Sequence, residues 1–238
     1  MKKIILSFLI LFLPISVWAG ISYTSSEYFA EALGASRTVS YTVGVGDNRI
    51  LLVGIRLGGG SADNITGVTY NGTSLTKIAS DVWNSAEYTV MYSLVAPATG
   101  ANNLVVDTGA SQNITIIAAD YAGVAQSSAI DVSNTASSTS ATSLTVSMTT
   151  TVDNDWLASF SRTGGTISGT AQTNTTMRQS GNSFGWGDTN ADQTPTGSKG
   201  QTHAVTGGAT TWALVGVAFK PFSAAAAAAG EEYQIIFE

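Results

Sequence analysis

The sequence contains no cysteine and a single histidine, His203. The missing cysteines exclude disulfides, a thiol nucleophile and a lipid anchor on cysteine, and they leave almost nothing for a zinc site built from Cys and His. A Ser-His-Asp triad would depend on His203, which lies in an ordinary strand pattern with no Gly-x-Ser-x-Gly motif before a helix. These absences predict a protein without nucleophilic or zinc chemistry.

Charged residues are also scarce, at 11% of the chain against about 25% in an average soluble domain. Acidic residues outnumber basic ones by 16 to 10. An acidic chain with so few cations is poorly suited to bind nucleic acid or an anionic membrane surface. Because 44% of the residues are hydrophobic, this low charge indicates a folded domain rather than a disordered one.

The first 19 residues have the pattern of a secretion signal. Lys2 and Lys3 precede an apolar stretch from Ile4 to Leu13, and Val17-Trp18-Ala19 places small residues where signal peptidase reads them. The apolar stretch is shorter than the roughly 20 residues of a membrane-spanning helix. We therefore expect cleavage after Ala19 and a secreted or cell-surface protein, with the periplasm as the alternative, and no later transmembrane segment.

Alternating apolar residues predict short β-strands along most of the chain, separated by Gly and Asn turns. The Asn71-Gly72 pair between two such segments predicts a tight hairpin, since both central residues of a type I′ turn need positive φ. We expect one face of each strand in the core and the other, small or hydroxylated, in solvent. The predicted fold is all-β: an antiparallel, jelly-roll-like β-sandwich. The clearest apolar faces are Leu51/Val53/Ile55/Leu57, Tyr88/Val90/Tyr92/Leu94, Leu144/Val146/Met148 and Val215/Val217/Phe219.

The expected organisation is a signal peptide at 1–19, one sandwich domain at 20–222, and an Ala-rich linker with a short tail at 223–238. The Ser/Thr-rich segment 125–143 leaves an alternative open, because it could join two smaller sandwiches instead of crossing within one. In the tail, Ala224 to Ala229 precede the apolar segment Tyr233 to Phe237. A flexible tail is the simpler interpretation; the alternative is self-assembly, in which this segment adds to a sheet edge of another subunit.

Three stretches, VTYNGTSLTKI, YSLVAPATGANNLVVD and ADYAGVAQ, together resemble a module of uncharacterised exported bacterial and phage-associated β-sandwich proteins. In that module a Tyr-Asn-Gly hairpin precedes a strand ending in L-x-x-P-x-x-G and a later Y-x-G-V strand end. The resemblance covers roughly residues 37–220. It implies a jelly-roll-like sandwich on a secreted or cell-surface protein, and its motifs carry no catalytic residues.

The segment from Phe184 to Asp192 is the strongest candidate for a binding site. Asp188, Asn190 and Asp192 have the first, third and fifth spacing of a calcium loop, although Gln193 and Lys199 break the EF-hand pattern. Trp186, flanked by glycines and next to these polar residues, is typical of a sugar-binding loop. The alternative is a surface loop whose aromatic ring folds back over the core.

Trp83, in the loop-like segment Asp81 to Ser85, is a second candidate for an exposed aromatic residue. The carboxylates give no catalytic pair, since most aspartates occur in turns; Asp120 is the exception, on a strand. The sequence thus favours an exported non-enzymatic surface, structural or adhesion-type protein. The alternatives are a carbohydrate-binding module, with or without calcium as its cofactor, and a polysaccharide-active enzyme. Its expected partners are glycans or a cell surface.

Overall fold

The computed structural model describes residues 20–60 and 62–223. Within these residues no element is helical, and antiparallel strands form three sheets. The predicted all-β antiparallel sandwich is confirmed. The same described residues include no helix with the length and hydropathy that a membrane crossing would need. The predictions for the signal peptide and for the tail from Ala224 onward concern residues outside this range.

Sheet A is built from the first half of the chain and sheets B and C from the second. The strands of sheet A are β1 Ser22–Val43, β2 Ile50–Gly58, β3 Ile65–Tyr70, β4 Thr73–Ser74, β5 Thr76–Trp83, β6 Glu87–Val95 and β7 Gly100–Ala122. The strands of sheets B and C are β8 Ile130–Ala141, β9 Ser143–Thr150, β10 Trp156–Thr163, β11 Thr166–Ile167, β12 Thr176–Gly181, β13 Phe184–Asp188, β14 Gly197–Thr206 and β15 Thr210–Phe219.

The long strand β7 connects the two parts of sheet A. Along one edge it pairs with β1, and along the other it pairs with β3 and then with β2, after which the sheet continues to β6 and β5. Sheet B has the order β12-β13-β10-β15-β8, and sheet C has the order β11-β14-β9.

Sheet A curls around a core of its own. The paired strands β1 and β7 are long, and β1 has register shifts against β7 around residues 23–25, 29–32 and 34–36. Such bulges bend a strand, and the end of β1 and the start of β7 pack in one core with β2 and β6. The predicted apolar face of β2 lies in this core, as does that of β6 apart from the partly buried Leu94.

A second core joins sheets A and B. Leu52 and Ile117 of sheet A pack in one cluster with Phe160 and Val217 of sheet B, so strands from both halves of the chain contribute to it. The prediction that the second face of each strand would meet solvent is wrong for β2, whose residues are buried on both faces. Sheet B covers that face, and a single strand pattern does not reveal such stacking.

A third, smaller core lies between sheets B and C. Val146 and Met148 of β9 pack there against Leu157 and Leu214, so the apolar face predicted for β9 is confirmed. Strands β10 and β15 are therefore buried on both faces. The Ser/Thr-rich segment 125–143 contains β8, which pairs with β15 at the edge of sheet B.

The hairpin predicted at Asn71-Gly72 is confirmed. Asn71 has φ of 48° and Gly72 has φ of 76°, and the two residues connect β3 to β4. Positive φ at both central residues is the mark of a type I′ turn, whose twist matches that of the flanking strands. The local sequence thus specifies this turn, and the Asn71 amide also donates to the Asn103 carbonyl of β7 at 3.0 Å.

Gly54 allows sheets A and B to approach each other closely. A substitution at this position therefore tests the packing between the two sheets. A Cβ atom on Gly54 would lie 2.5 Å from the Phe160 ring, well inside van der Waals contact. We expect Gly54→Ala to lower the free energy of unfolding by about 1–3 kcal/mol, the usual cost of overpacking a core. Urea denaturation of this variant and of Gly67→Ala, where the nearest atom is 4.0 Å away, measures the difference. Equal losses in both variants would contradict the assigned packing.

A buried ion cluster ties sheets A and B together at one end. Glu87 of β6 accepts hydrogen bonds from Arg56 of β2 and from Arg162 of β10, and all three side chains are about nine-tenths buried. The guanidinium of Arg56 also contacts the half-exposed Glu31. Burying these charges is tolerable because each has a partner of opposite sign.

Candidate functional site

A cleft of about 550 Å³ opens between sheets A and B, near the start of β1 and the end of β7. The first residues of β1 form one wall, and the loop that follows β13 forms the other. Arg178 reaches it from the edge strand β12. The cleft thus combines aromatic surface with polar groups. The side chains that line it include those of Ser22, Tyr23, Trp156, Arg178, Asn190 and Asp192.

The guanidinium of Arg178 is held in a fixed orientation. Its Nε donates to Asp188 Oδ2 at 2.8 Å, and an Nη donates to the side-chain oxygen of Asn190. The Asn190 amide N–H in turn donates to Asp188 Oδ1 at 2.9 Å. Burial raises the pKa of Asp188 against the opposing effect of Arg178. This network couples β12, β13 and the following loop into one preorganised wall.

Two aromatic residues complete the cleft. The Arg178 guanidinium lies over the Tyr23 ring, 4.0 Å from its centroid, and Tyr23 Oη is 2.8 Å from Ser26 Oγ. Trp156 is 5% exposed, and its indole N–H has no hydrogen-bond acceptor among the described residues. Because this N–H is itself buried, other parts of the Trp156 side chain line the cleft.

The structure places Trp186 in the core between the sheets, not on the surface. Its side chain is fully buried and packs near Phe160, and its Nε1–H donates to Tyr121 Oη at 3.0 Å. Tyr121 donates onward to Asp188 at 3.2 Å. A ring with no exposed face cannot stack on a sugar, so the structure contradicts Trp186 as a ligand-binding residue. The alternative interpretation, an aromatic residue that folds back over the core, describes what is seen.

The calcium ligand set predicted from Asp188, Asn190 and Asp192 does not come together. The side-chain oxygens of Asp188 and Asn190 face the Arg178 guanidinium, which fills the position that a cation would need. Asp192 lies beside the start of β1, where a Cβ atom on Gly20 would be 3.8 Å from its Oδ2. The part of the chain that the structure describes has no cluster of three or more His, Cys, Asp or Glu residues able to hold a metal ion.

Trp83 lies outside the lining of the cleft, at the end of β5. Its ring is half-buried against the Arg162 guanidinium at 4.2 Å, and its Nε1–H donates to the Thr211 carbonyl at 3.0 Å. These contacts give Trp83 a structural role in joining sheets A and B beside the buried ion cluster. The structure does not bring it together with the other candidate residues.

His203 is fully buried between sheets B and C. Its Nε2 lies 2.8 Å from Ser159 Oγ and its Nδ1 lies 2.7 Å from Ser161 Oγ. Burial lowers the pKa of His203 to about 3, so the ring is neutral at physiological pH. Both nitrogens are engaged in the interior, away from any external substrate.

Asp120, the strand aspartate that the sequence left open, is also internal. It accepts hydrogen bonds from Tyr41 Oη and Ser25 Oγ, each at 2.6 Å, and from the Gly44 amide at 3.0 Å. These bonds tie both ends of β1 to β7. Asp120 therefore fixes the curl of sheet A and does not face the cleft.

The sequence missed Tyr23 and Arg178, the two residues that dominate the cleft. Tyr23 precedes the first recognisable strand pattern, and Arg178 lies in a segment without clear alternation. One signal could have found Arg178: a hairpin between β12 and β13 sets this isolated cation beside Asp188. No protein-family model matches the chain, and no curated protein gives a significant match to it.

Proposed function

We propose that the protein is an exported, non-enzymatic β-sandwich of the adhesion or surface type, and that it binds carbohydrate in the cleft. The observation that carries this proposal is the preorganised Arg178 beside Tyr23, at an open cleft of about 550 Å³. A binding site of this size that combines ring surface with a few fixed polar groups suits a small polar ligand.

The polar groups of the cleft match the hydroxyls of a sugar. Arg178 supplies N–H donors, while the carboxylate of Asp192 supplies acceptors. The edge of Tyr23 supplies apolar surface for the C–H groups of a sugar ring. Because Asp188 and Asn190 already orient Arg178, little conformational entropy is lost when a ligand binds.

Two features of the site favour binding over hydrolysis. Glycoside hydrolysis needs two carboxyl groups about 5–9.5 Å apart that face the scissile bond. Among the described residues that line the cleft, Asp192 supplies a carboxylate, while the neighbouring Asp188 is fully buried against Arg178. The sole histidine lies in the interior. The cleft therefore supports recognition better than acid-base chemistry.

A glycan-array screen of residues 20–238 tests this proposal. We expect at least one reproducible glycan class, with binding unchanged in EDTA because Arg178 occupies the oxygens that calcium would need. Ala191→Trp places a bulky ring on the exposed lining of the cleft and should weaken binding at least tenfold. Ala110→Trp, at an exposed position of β7 outside the cleft, is the matched control.

Two results would contradict carbohydrate binding in the cleft. One is the absence of any glycan bound by the folded protein. The other is equal affinity of the Ala191→Trp and Ala110→Trp variants for the glycan that the native chain binds. Loss of binding in EDTA would instead support the calcium alternative and would require Arg178 to release Asp188 and Asn190.

A further inference from the structure

Asp192 is a carboxylate without a cation. In the part of the chain that the structure describes, no Lys or Arg side chain lies within 4 Å of it, whereas Asp188 nearby is paired with Arg178. Burial raises the pKa of Asp192, and the backbone amide of Ile21 opposes this effect. Asp192 therefore presents an exposed negative charge without a partner cation where the cleft wall meets the start of the folded chain.

Gly20 lies beside that charge at the start of the folded chain. A Cβ atom on Gly20 would lie 3.8 Å from Asp192 Oδ2, and the Gly20 nitrogen is two bonds from that position. The neighbouring residues hold Gly20 in place. Ile21 is buried in the core between sheets A and B, and Ser22 is paired with Ala122. The Gly20 carbonyl packs so closely against Gly123 that a Cβ on Gly123 would lie 2.4 Å from it.

We propose that signal cleavage after Ala19 creates the missing cation: the new α-ammonium group of Gly20 pairs with the Asp192 carboxylate and completes the wall of the cleft. Hydrolysis of the Ala19–Gly20 bond gives the carbonyl carbon of Ala19 a hydroxyl and the Gly20 nitrogen a hydrogen. The freed amine then takes up a proton from water. Capture of an N-terminal amine by a nearby acceptor group is an established mode of recognition.

Processing thereby changes the electrostatics of the cleft. In the precursor the Gly20 nitrogen is a neutral amide, so Asp192 stays uncompensated. In the mature chain the pair carries no net charge, as does the pair of Arg178 with Asp188. The inference rests on cleavage after Ala19 and on the position of Gly20, and it holds whichever ligand the cleft binds.

The α-amino pKa of Gly20 tests this inference. In the mature chain, residues 20–238 labelled with ¹³C-glycine, NMR titration should place this pKa above the usual 7.7–8.0, by up to about 0.7 unit because an exposed ion pair is worth at most about 1 kcal/mol. Asp192→Asn should return it to that range, because the partner charge is lost. Asp107→Asn, a partly exposed carboxylate on β7, should leave it unchanged. N-terminal sequencing of the exported protein should find Gly20 first.

Either of two results would overturn the inference: a Gly20 pKa that Asp192→Asn does not move, or a mature chain that begins at another residue. A second measurement, made on the native chain as well as on Asp192→Asn, distinguishes loss of the ion pair from local unfolding of the variant. Acetylation of the Gly20 amine should lower the midpoint of thermal unfolding in the native chain and have no effect in Asp192→Asn. None of these measurements involves a glycan, so they succeed or fail independently of the proposed function.

Discussion

Replacing Glu87 with glutamine is expected to lower the free energy of unfolding by about 3 kcal/mol at neutral pH. The substitution keeps the shape of the side chain but removes the negative charge that Arg56 and Arg162 share. Two buried guanidinium groups from opposite sheets would then face one another, with the half-exposed Glu31 beside Arg56 as their remaining counter-charge. Breaking a buried ion pair on one side costs about 3–5 kcal/mol, and glutamine retains part of the hydrogen bonding.

The pH dependence of this effect follows from the pKa of Glu87. Burial alone would raise this pKa, but the hydrogen bonds from Arg56 and Arg162 outweigh burial and lower it. A carboxyl group with a lowered pKa stabilises the folded state above its unfolded pKa, and this contribution is lost as the pH falls through the folded value. The difference between the native chain and Glu87→Gln should therefore shrink below about pH 4.

Urea denaturation at pH 7 and at pH 3 measures both effects. Glu27→Gln is the matched control, because Glu27 is exposed on β1 and should change the free energy of unfolding by no more than about 0.5 kcal/mol. A loss in Glu87→Gln as small as in the control would show that the ion cluster does not hold the two sheets together.

Replacing Asp155 with asparagine should have the opposite sign at high pH: the variant is expected to be more stable than the native chain by roughly 2–5 kcal/mol at pH 9. Asp155 is fully buried just before β10, and neither of its side-chain oxygens has a hydrogen-bond donor among the described residues. Its neighbour is the carboxyl of Asp131, which accepts the Thr151 amide N–H at 2.6 Å. Lys220 Nζ is 4.0 Å from Asp131.

The carboxyl groups of Asp131 and Asp155 interact, and two neighbouring carboxyl groups are not both charged at little cost. One of them therefore keeps a proton, and here it is Asp155. Burial raises the pKa of Asp155 to about 8, with further contributions from Asp131 and Asp153, while Lys220 opposes them. The pKa of Asp131 is lowered, because the Thr151 hydrogen bonds and Lys220 outweigh its burial. Asp131 is thus the charged partner and Asp155 the neutral one at pH 7.

A carboxyl group with a raised pKa stabilises the folded state below its unfolded pKa, and this contribution is lost as the pH rises through the folded value. The free energy of unfolding of the native chain should therefore fall between about pH 4 and pH 8, whereas that of Asp155→Asn should change much less. Urea denaturation across this range, with Asp107→Asn as control, measures the slopes. Equal slopes for the native chain and Asp155→Asn, or a less stable Asp155→Asn at pH 9, would contradict the shared proton.

Much of the fold could be predicted from the sequence because local patterns determine it. The alternation of Leu51, Val53, Ile55 and Leu57 reports one face of a strand, and Asn71-Gly72 reports a turn that needs positive φ. The stacking of sheets could not be predicted in the same way. The face of β2 that carries Gly54 also carries the apolar Leu52 and the charged Arg56, a mixture that does not by itself distinguish burial from exposure. Sheet B covers this face, and Phe160 fits against the missing side chain of Gly54.

Of the residues that the sequence predicted to bind a ligand, Asn190 and Asp192 line the cleft, whereas Trp186 and Asp188 are buried. Spacing alone suggested that Asp188 and Asn190 bind calcium, but the hairpin of β12 and β13 delivers Arg178 to them. Trp186 points inward because alternation along β13 sets its side chain on the face toward sheet A. Which cation meets a carboxylate depends on strand neighbours, and these are long-range facts that a local motif does not contain.

The most direct test of carbohydrate recognition in the cleft is to map the binding site of the bound glycan by NMR. Titration of ¹⁵N-labelled protein, residues 20–238, with the glycan found on the array should shift the amide signals of Tyr23, Asn190 and Asp192 and the side-chain Nε–H signal of Arg178. Signals near Trp83 and Ala110 should stay in place. Chemical-shift changes that are largest around Trp83, or that are distributed evenly over the protein, would contradict the cleft as the binding site.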